Sequence, residues 1–357
     1  MNAGGEVEPR SEEDRRRTDY SAPVLPPTLE PPPASPKVAP RRVVYAALAG
    51  NLAIAMIKSL AAAFTGSSAM LSEAVHSLVD TINELLLLYG LRRADRRPDI
   101  AHPFGYGREL YFWSFIVALS VFALGAGVSL YEGINHLQNP VPMDRPVLNY
   151  LVLIASFICE AASWRVGLRA FRASKGTLGY MGAFRASKDP STFIVLFEDS
   201  AALIGLIIAA VGISCALVFQ QPRYDGLASI GIGLVLAASS ILLARETKGL
   251  LIGEPALPLV RDSILRIATA DPDVHRANGV LTVQMGPNQV LAALSAEFHA
   301  GLNTQQIELC IGRIEIAIKA AKLGVATVFI KPQTAETWRR RIAELDATRK
   351  EMRDGLQ

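Results

Sequence analysis

The sequence predicts a bundle of membrane-spanning helices followed by a small α+β domain. Half of the 357 residues are hydrophobic and the mean hydropathy is +0.28, which is too apolar for an ordinary soluble protein of this length. Apolar segments recur between residues 43 and 246, each near or above the roughly 20 residues that cross a bilayer core. After Gly253 charges become more frequent and the apolar runs shorten, which indicates a domain outside the membrane.

Residues 1–40 are rich in proline and charge and poor in aromatic and branched apolar side chains. This composition is typical of a disordered, Pro-rich tail, so no secondary structure is predicted there. The tail lacks the apolar core of a secretory signal, and its acids disfavour a mitochondrial transit peptide.

The apolar segments set the topology of the predicted six-helix transmembrane domain, 41–253. They cover about 43–64, 69–91, 109–137, 147–170, 192–219 and 226–246. Basic residues concentrate before the first segment, between the second and third, and between the fourth and fifth, whereas the other connections hold one arginine at most. The positive-inside bias therefore places both termini in the cytoplasm. In a bacterial cell the host membrane would be the inner (plasma) membrane.

The second segment carries acids and a histidine along one helical face. Glu73, His76, Asp80 and Glu84 follow at spacings of three, four and four residues. Because charge is costly inside a bilayer, such residues normally face a bundle interior and a substrate path. His76 and Asp80, one turn apart, could hold a divalent ion. In a soluble core helix they would instead be an ordinary hydrogen-bonded pair, and the surrounding apolar segments favour the first interpretation.

Isolated polar residues interrupt the other apolar segments. Lys58, Glu132 and Glu160 are as consistent with snorkelling or ion pairing as with a role at a site. Glu198 and Asp199 differ, because two adjacent acids lie well inside the fifth segment, where nothing structural requires them.

The sequence after the membrane segments predicts a two-layer domain at 254–333, in which helices lie on one face of a sheet. Its element order is αββαβ, with a helix at 257–270, strands at 278–285 and 289–299, a helix at 303–323 and a strand at 325–331. Residues 334–357 form a separate closing region with a charged helix at 339–353. The three cysteines contain no CxxC pair, so neither a disulfide framework nor a thiolate zinc site is predicted.

Four stretches resemble the cation diffusion facilitator family. They are GSSAMLSEAVHSLVDTIN from Gly66, HPFGYGRELYFW from His102, LFEDSAALIG from Leu196 and PRYDGLASIGIG from Pro222. Together they are similar to the zinc-transporter-nine-like branch, over about 43–333. The resemblance implies a six-helix divalent-metal transporter with a cytoplasmic ferredoxin-like domain, working as a homodimer in the lipid bilayer.

The resemblance also implies a mid-membrane metal site with one ligand pair on the second helix and another on the fifth. His76 and Asp80 match the first pair. Asp199 matches the second position of the other pair, but its first position falls on Val195, which cannot ligate. Glu198 is the replacement candidate; alternatively it pairs with a cation such as Lys58.

Three further polar residues, Glu73, Asn51 and Glu84, are candidates for the ion pathway. They share or flank the polar face of the second helix. None of them is required by the family's ligand pairs.

Zn2+ is the transported substrate that the resemblance implies, with protons as the counter-ion. Imidazole and carboxylate ligands suit zinc, while Mn2+, Fe2+ or Co2+ also fit where carboxylates outnumber imidazoles. Because a protonated ligand cannot bind metal, protons and metal displace each other, and His76 titrates in the useful range.

The leading hypothesis is a proton-coupled exporter of divalent metal from the cytoplasm. The alternative is a non-transporting membrane scaffold or interaction protein built on a degenerate transporter, motivated by Val195. An intramembrane metalloenzyme is disfavoured, since no nucleophile and base lie together; no catalytic residue or cofactor-binding residue is predicted. The formal net charge of +3 gives no support for nucleic-acid binding.

The soluble domain is expected to depend little on zinc. In relatives whose soluble domain binds zinc, the ligand positions correspond to Asn278 with Gly279, Leu294, Glu308 and Phe329. His275 and His299 are the histidines of this domain, expected at a loop and a strand end rather than on a shared ion.

Overall fold

The computed structural model describes residues 41–65, 68–140, 146–174 and 179–354. The predicted tail at 1–40 lies outside the described residues, as do parts of the turns at 66–67 and 141–145.

The helical part of the chain places a helix at each predicted apolar segment. Within the described residues these helices are α1 Arg41–Thr65, α2 Ser68–Ala94, α3 Arg108–Gln138, α4 Pro146–Ser174, α5 Tyr180–Ala186, α6 Pro190–Val218 and α7 Arg223–Ile252. The short α5 was not predicted. α6 begins where the Asp189 side chain accepts a hydrogen bond from the Ser191 N–H, with Pro190 at the first helical position.

Four of the described helical segments are long and apolar enough to cross a membrane. They are Arg108–Gln138, Pro146–Arg169, Phe193–Val218 and Arg223–Ile252. The apolar part found in α1, Asn51–Thr65, is shorter, and α2 is interrupted by its three carboxylates. The prediction of six membrane-spanning segments is therefore confirmed for four of them.

α2 lies at the centre of the helical part, where it packs against α1, α3, α6 and α7. α4 closes the other side by packing against α1 and α6. The shared core is formed by apolar residues such as Ala61, Met70, Val79, Leu206 and Ile232. Because α2 is central, its polar face is surrounded by other helices.

The C-terminal part contains a small three-stranded sheet with helices. Its elements are α8 Pro258–Thr269, β1 Val274–Gly286, β2 Gln289–Phe298, α9 Thr304–Ala320, β3 Val325–Pro332 and α10 Ala335–Asp354. The sheet order is β1-β2-β3, antiparallel between β1 and β2 and parallel between β2 and β3. The predicted order αββαβ is confirmed, and Asn303 caps α9 through a reciprocal capping box with Gln306.

Two element boundaries differ from the sequence prediction. β1 begins at Val274 rather than at 278, because irregularities between Val274 and Arg276 and between Ala277 and Gly279 interrupt the alternation of buried and exposed residues. α10 begins at Ala335 rather than at 339, because the Thr334 hydroxyl accepts a hydrogen bond from the Thr337 N–H.

The sheet is attached to the helical part at two places. After α7 the chain turns at Gly253, whose φ is +116°, and the Glu254 carbonyl accepts a hydrogen bond from Gln284 of β1 at 2.8 Å. The connection between α2 and α3 also contacts the sheet, with the rings of Phe104 and Phe329 6.3 Å apart. The HPFGYG motif thus links the second and third helices to the soluble domain.

Candidate metal centre

The interior of the helical part collects ionisable side chains from four helices. They come from α1 (Lys58), α2 (Glu73, His76, Asp80), α4 (Glu160) and α6 (Glu198, Asp199), and all are at most 9% exposed. The outer faces of the same helices expose large apolar residues, including Leu60, Leu78, Ile158 and Ile207. The polar face predicted for α2 therefore points inward, towards acids from the helices around it.

Lys58 is a fully buried cation with partners on α2. Its Nζ lies 3.2 Å from Glu73 Oε2 and donates a hydrogen bond to Ser77 Oγ at 2.9 Å. Gly205 of α6 makes room for this pair, since a Cβ at that position would collide with Glu73 Oε1. Lys58 is thus the partner of Glu73, and the alternative in which it pairs with Glu198 is wrong.

His76 and Asp80 lie side by side with unused hydrogen-bonding atoms. The distance from His76 Nδ1 to Asp80 Oδ1 is 3.4 Å. Within the part of the chain that the structure describes, both ring nitrogens of His76 and Oδ1 of Asp80 are buried without a hydrogen-bond partner. Buried polar atoms in native proteins are nearly always satisfied, so this arrangement fits residues that bind a further group.

The two adjacent acids of α6 point to different helices. Glu198 Oε1 accepts a hydrogen bond from Asn83 Nδ2 of α2 at 2.9 Å. Asp199 Oδ2 accepts one from Ser163 Oγ of α4, also at 2.9 Å. The structure therefore places both acids in the interior, but attached to separate neighbours.

The four predicted ligands do not converge on one point in this arrangement. Among the described residues, no three ligand atoms from His76, Asp80, Glu198 and Asp199 lie within 4.8 Å of one another. His76 and Asp80 form a preassembled half of a site. A complete tetrahedral shell would need the α6 carboxylates to move closer to this pair.

The three predicted pathway residues are buried or half-buried around this centre. Asn51 Nδ2 donates a hydrogen bond to Glu84 Oε1 at 2.7 Å, about one turn from Asp80 towards the C-terminal end of α2. Glu73 lies on the opposite side of His76, paired with Lys58. They extend a polar track along α2 in both directions from His76.

Glu160 of α4 belongs to the same interior, and the sequence analysis did not assign it there. It is 7% exposed, and its carboxylate is close enough to Asp80 and Asp199 for electrostatic repulsion. A lone acid in an apolar segment has the same local sequence whether it snorkels or faces inward, so the sequence carries no signal that would have identified Glu160. The carboxylates outnumber the single lysine of this group, which favours a cation among them.

A second cluster, in the soluble domain, has donors that are closer together but already paired. Ligand atoms of Asp271, Asp273 and Cys310 lie within 4.8 Å of one another. Arg313 occupies them, with Nη2 2.8 Å from Asp271 Oδ1 and 2.6 Å from Asp273 Oδ2, and Nε 2.9 Å from Asp271 Oδ2. The Cys310 thiol donates to Asp271 Oδ1 at 3.2 Å.

The electrostatics of this second cluster do not suit a metal ion. Burial, together with the hydrogen bond to Asp271, raises the pKa of the Cys310 thiol to about 12, so it is protonated at neutral pH. Partial burial alone would raise the pKa of Asp271, but the hydrogen bonds led by that from Arg313 lower it below its usual value. Asp271 is thus ionised and paired with Arg313, and the Cys310 thiol is not a thiolate.

Comparison with known proteins identifies relatives of the helical part. The cation efflux transmembrane domain family matches residues 44–252. The chain is 34% identical over 284 residues to the mitochondrial proton-coupled zinc antiporter SLC30A9 of Xenopus laevis, covering 77% of this chain and 51% of that protein. The human protein of that name is 32% identical over 268 residues, covering 74% of this chain and 47% of that protein.

A bacterial relative is covered more completely. The chain is 28% identical over 282 residues to the cation-efflux pump FieF of Escherichia coli O1:K1, covering 78% of this chain and 87% of that protein. By contrast, it spans only about half the length of the SLC30A9 relatives.

Proposed function

Because the chain belongs to the cation efflux family, we propose that it exports a divalent metal cation from the cytoplasm in exchange for protons. The observation that supports this best is the His76–Asp80 pair, buried at the centre of the helical part with hydrogen-bonding atoms that no described residue satisfies. The relatives are named as antiporters and pumps, so transport rather than catalysis is the activity to test.

Zinc is the proposed substrate. The proposed ligands are His76, Asp80 and Asp199, with Glu198 in place of the half-buried Val195. One imidazole with carboxylates is a donor set that zinc accepts. Mn2+, Fe2+ and Co2+ are the competitors to test, because carboxylates outnumber imidazoles here. The name of the SLC30A9 relatives supports zinc.

Metal binding is proposed to draw the two α6 acids towards His76. Their hydrogen bonds to Asn83 and Ser163 hold the carboxylates apart. Each such bond contributes about 1.5–3 kcal/mol when one partner is charged. Several metal–ligand bonds, worth of the order of 10 kcal/mol together in zinc sites, exceed that cost. The exchange of hydrogen bonds for metal bonds would then accompany a movement of α6 against α2 and α4.

Proton coupling follows from the ligands. An imidazole or carboxylate that carries a proton on its ligating atom cannot bind metal, so the arriving ion must displace protons. Proton entry from the other side would in turn release the ion. The same four residues therefore alternate between metal and protons.

The proposed architecture has six spanning helices, α1, α2, α3, α4, α6 and α7. Its transmembrane domain is 41–253, its ferredoxin-like domain 254–333 and its closing charged helical region 334–357. The packing of α1 and α2 against the four apolar helices supports their inclusion. Both termini would lie in the cytoplasm, the protein would be a homodimer, and in a bacterium it would lie in the inner membrane.

Proteoliposomes test the transport proposal. The purified full-length protein is reconstituted into vesicles that contain a zinc-sensitive dye and, in a parallel set, a pH-sensitive dye. We expect zinc to enter faster when the interior is acidic, and to alkalinise the interior as it enters. Zinc uptake equal to that of protein-free vesicles, with and without a pH gradient, would contradict transport and favour the scaffold alternative.

A further inference from the structure

His275 and His299 meet at one edge of the soluble domain. His275 lies near the start of β1 and His299 directly follows the end of β2, and the two strands are antiparallel with Val274 opposite Phe298. The histidines that flank this pair therefore lie side by side, with ring centroids 5.3 Å apart and ring planes at 70°. His299 follows a strand end as expected, but His275 lies in β1 and not in a loop, because β1 begins at Val274. The register of β1 with β2 then brings together two rings that were expected to lie apart.

The separation of the rings suits a shared metal ion. Two imidazoles that bind one tetrahedral zinc through Zn–N bonds of about 2.0–2.1 Å have ring centroids roughly 5 Å apart. An edge-to-face aromatic contact has a similar spacing, so distance alone does not decide between the two interpretations. Both residues are exposed, which leaves their nitrogens accessible to a hydrated ion. No hydrogen bond or ion pair of either ring is found among the described residues.

The backbone at this edge is held in place independently of the rings. The His299 N–H donates a hydrogen bond to the Asp273 carbonyl oxygen at 3.1 Å. Asp273 is in turn fixed to Arg313 of α9. These contacts hold the backbone that carries the two rings, which reduces the conformational entropy lost when the rings bind an ion.

We propose that His275 and His299 form a surface site for a divalent cation that prefers imidazole, namely Zn2+, Cu2+ or Ni2+. The two rings supply the protein ligands and water completes the coordination shell. The site differs from the proposed transport centre and from the positions at which the soluble domains of zinc-binding relatives are expected to ligate. A bound ion would join the start of β1 to the end of β2.

Copper EPR of the full-length protein in detergent tests this site, with Cu2+ alone as the probe. We expect nitrogen hyperfine structure from two imidazoles in the native protein. His275→Asn, His299→Asn and the double variant should each lose it and bind Cu2+ about tenfold more weakly. The two single effects should not add, because each ring needs the other. His102→Asn removes another exposed histidine and should change nothing.

Two results would contradict this proposal. Additive losses from the two single variants, or a two-nitrogen signal that survives in both, would show independent surface histidines and overturn the site. Metal-free unfolding temperatures of the variants should equal that of the native protein, since both side chains are exposed. Zinc should raise the unfolding temperature of the native protein more than that of the double variant. These variants leave the proposed ligands of the transport centre unchanged. A negative copper result would therefore count against the surface site alone and not against the transport proposal.

Discussion

The helical part and the soluble domain each hold a cluster of acids, buried in the first and half-buried in the second, and the two clusters differ in how their charges are paired. In the soluble domain Arg313 bridges Asp271 and Asp273, and these donors lie within the spacing of a metal site. In the helical part His76 and Asp80 are adjacent, but further donors are spread over α4 and α6. The tighter cluster is therefore the less suitable one, because its lone pairs are already engaged.

The cations of the two regions explain the difference. Arg313 is permanently charged and its planar guanidinium bonds two carboxylates at once, so it closes the cluster. Lys58 is a single ammonium that serves Glu73 and Ser77. It leaves His76 and Asp80 with atoms that no described residue satisfies. On the proposed assignment, proximity of donors is a weaker indication of a metal site than unsatisfied donors are.

The largest effect is expected from His76→Ala. It removes the only imidazole of the proposed ligand set, and even partners of ligands usually contribute about 10–100-fold to metal affinity. Zinc-dependent proton movement in proteoliposomes should therefore fall to background, while the protein stays folded. His102→Ala is the matched control, because His102 lies 3.7 Å from Asp99 in a similar pair, but exposed. Native rates in His76→Ala would show that the ion passes elsewhere.

The next effect concerns stability. Lys58→Met leaves the Glu73 carboxylate buried without its cation, and breaking a buried pair from one side costs on the order of 3 kcal/mol or more. We expect a clearly lower unfolding temperature in detergent, measured by the fluorescence of the half-buried tryptophans. The double variant Lys58→Met, Glu73→Gln should recover most of the loss. A double variant as unstable as the single one would mean that Lys58 matters for packing rather than for charge.

Glu198→Gln should act on metal affinity more than on stability. The glutamine carbonyl can still accept the hydrogen bond from Asn83, whereas the charge that binds metal is gone. Zinc affinity, measured by calorimetry, should fall about tenfold, or roughly 1.4 kcal/mol. Unchanged affinity together with a marked loss of thermal stability would assign Glu198 a structural role and leave three protein ligands.

Arg313→Ala removes the side chain that pairs the acids of the second cluster, and this side chain is 34% exposed. The variant should gain what the native cluster lacks, namely donors free to bind a metal. Added Co2+ should produce a thiolate-to-cobalt absorption band in Arg313→Ala, absent from the native protein and from Arg313→Ala, Cys310→Ser. Absence of the band in the variant would show that arginine is not what closes this cluster.

The same cluster gives the soluble domain a dependence on pH. Since the folded-state pKa of Asp271 is lowered, its contribution to stability is full above the usual pKa near 3.8 and is lost as pH falls through the folded value. Without Arg313 the remaining burial acts in the opposite direction. The part of the unfolding free energy that is lost on acidification, measured by denaturant unfolding followed by circular dichroism at several pH values, should therefore be smaller in Arg313→Ala than in the native protein.

Much of the architecture could be predicted because it depends on local patterns. The spacing of Glu73, His76 and Asp80 is a property of one helix, and so is the capping of α9 by Asn303. The start of β1 could not be predicted, because its bulges break the alternation on which strand prediction depends. The sequence thus predicts the presence of a helix or strand better than the residue at which an irregular element begins.

The pairings between elements were harder to predict. Lys58 lies in the same bundle as several acids, and only the packing of α1 against α2 selects Glu73. Glu160 is a lone acid in an apolar segment. The sequence around such a residue is the same whether its side chain snorkels to the membrane surface or faces the interior of the helical part. His275 and His299 meet only through the register of β1 with β2. Each of these contacts depends on tertiary structure that no local pattern encodes.

X-ray absorption at the zinc edge tests most directly whether unsatisfied donors, and not the closest donors, hold the metal. The sample is full-length protein with His275→Asn and His299→Asn, loaded with one zinc per chain. We expect scattering from one imidazole and from oxygen ligands, without sulfur, and loss of the imidazole contribution when His76→Ala is added. Zinc–sulfur scattering would place the ion at a cysteine instead, at Cys310 if Cys310→Ser abolishes it, and a shell without imidazole would exclude His76; either result would contradict the account.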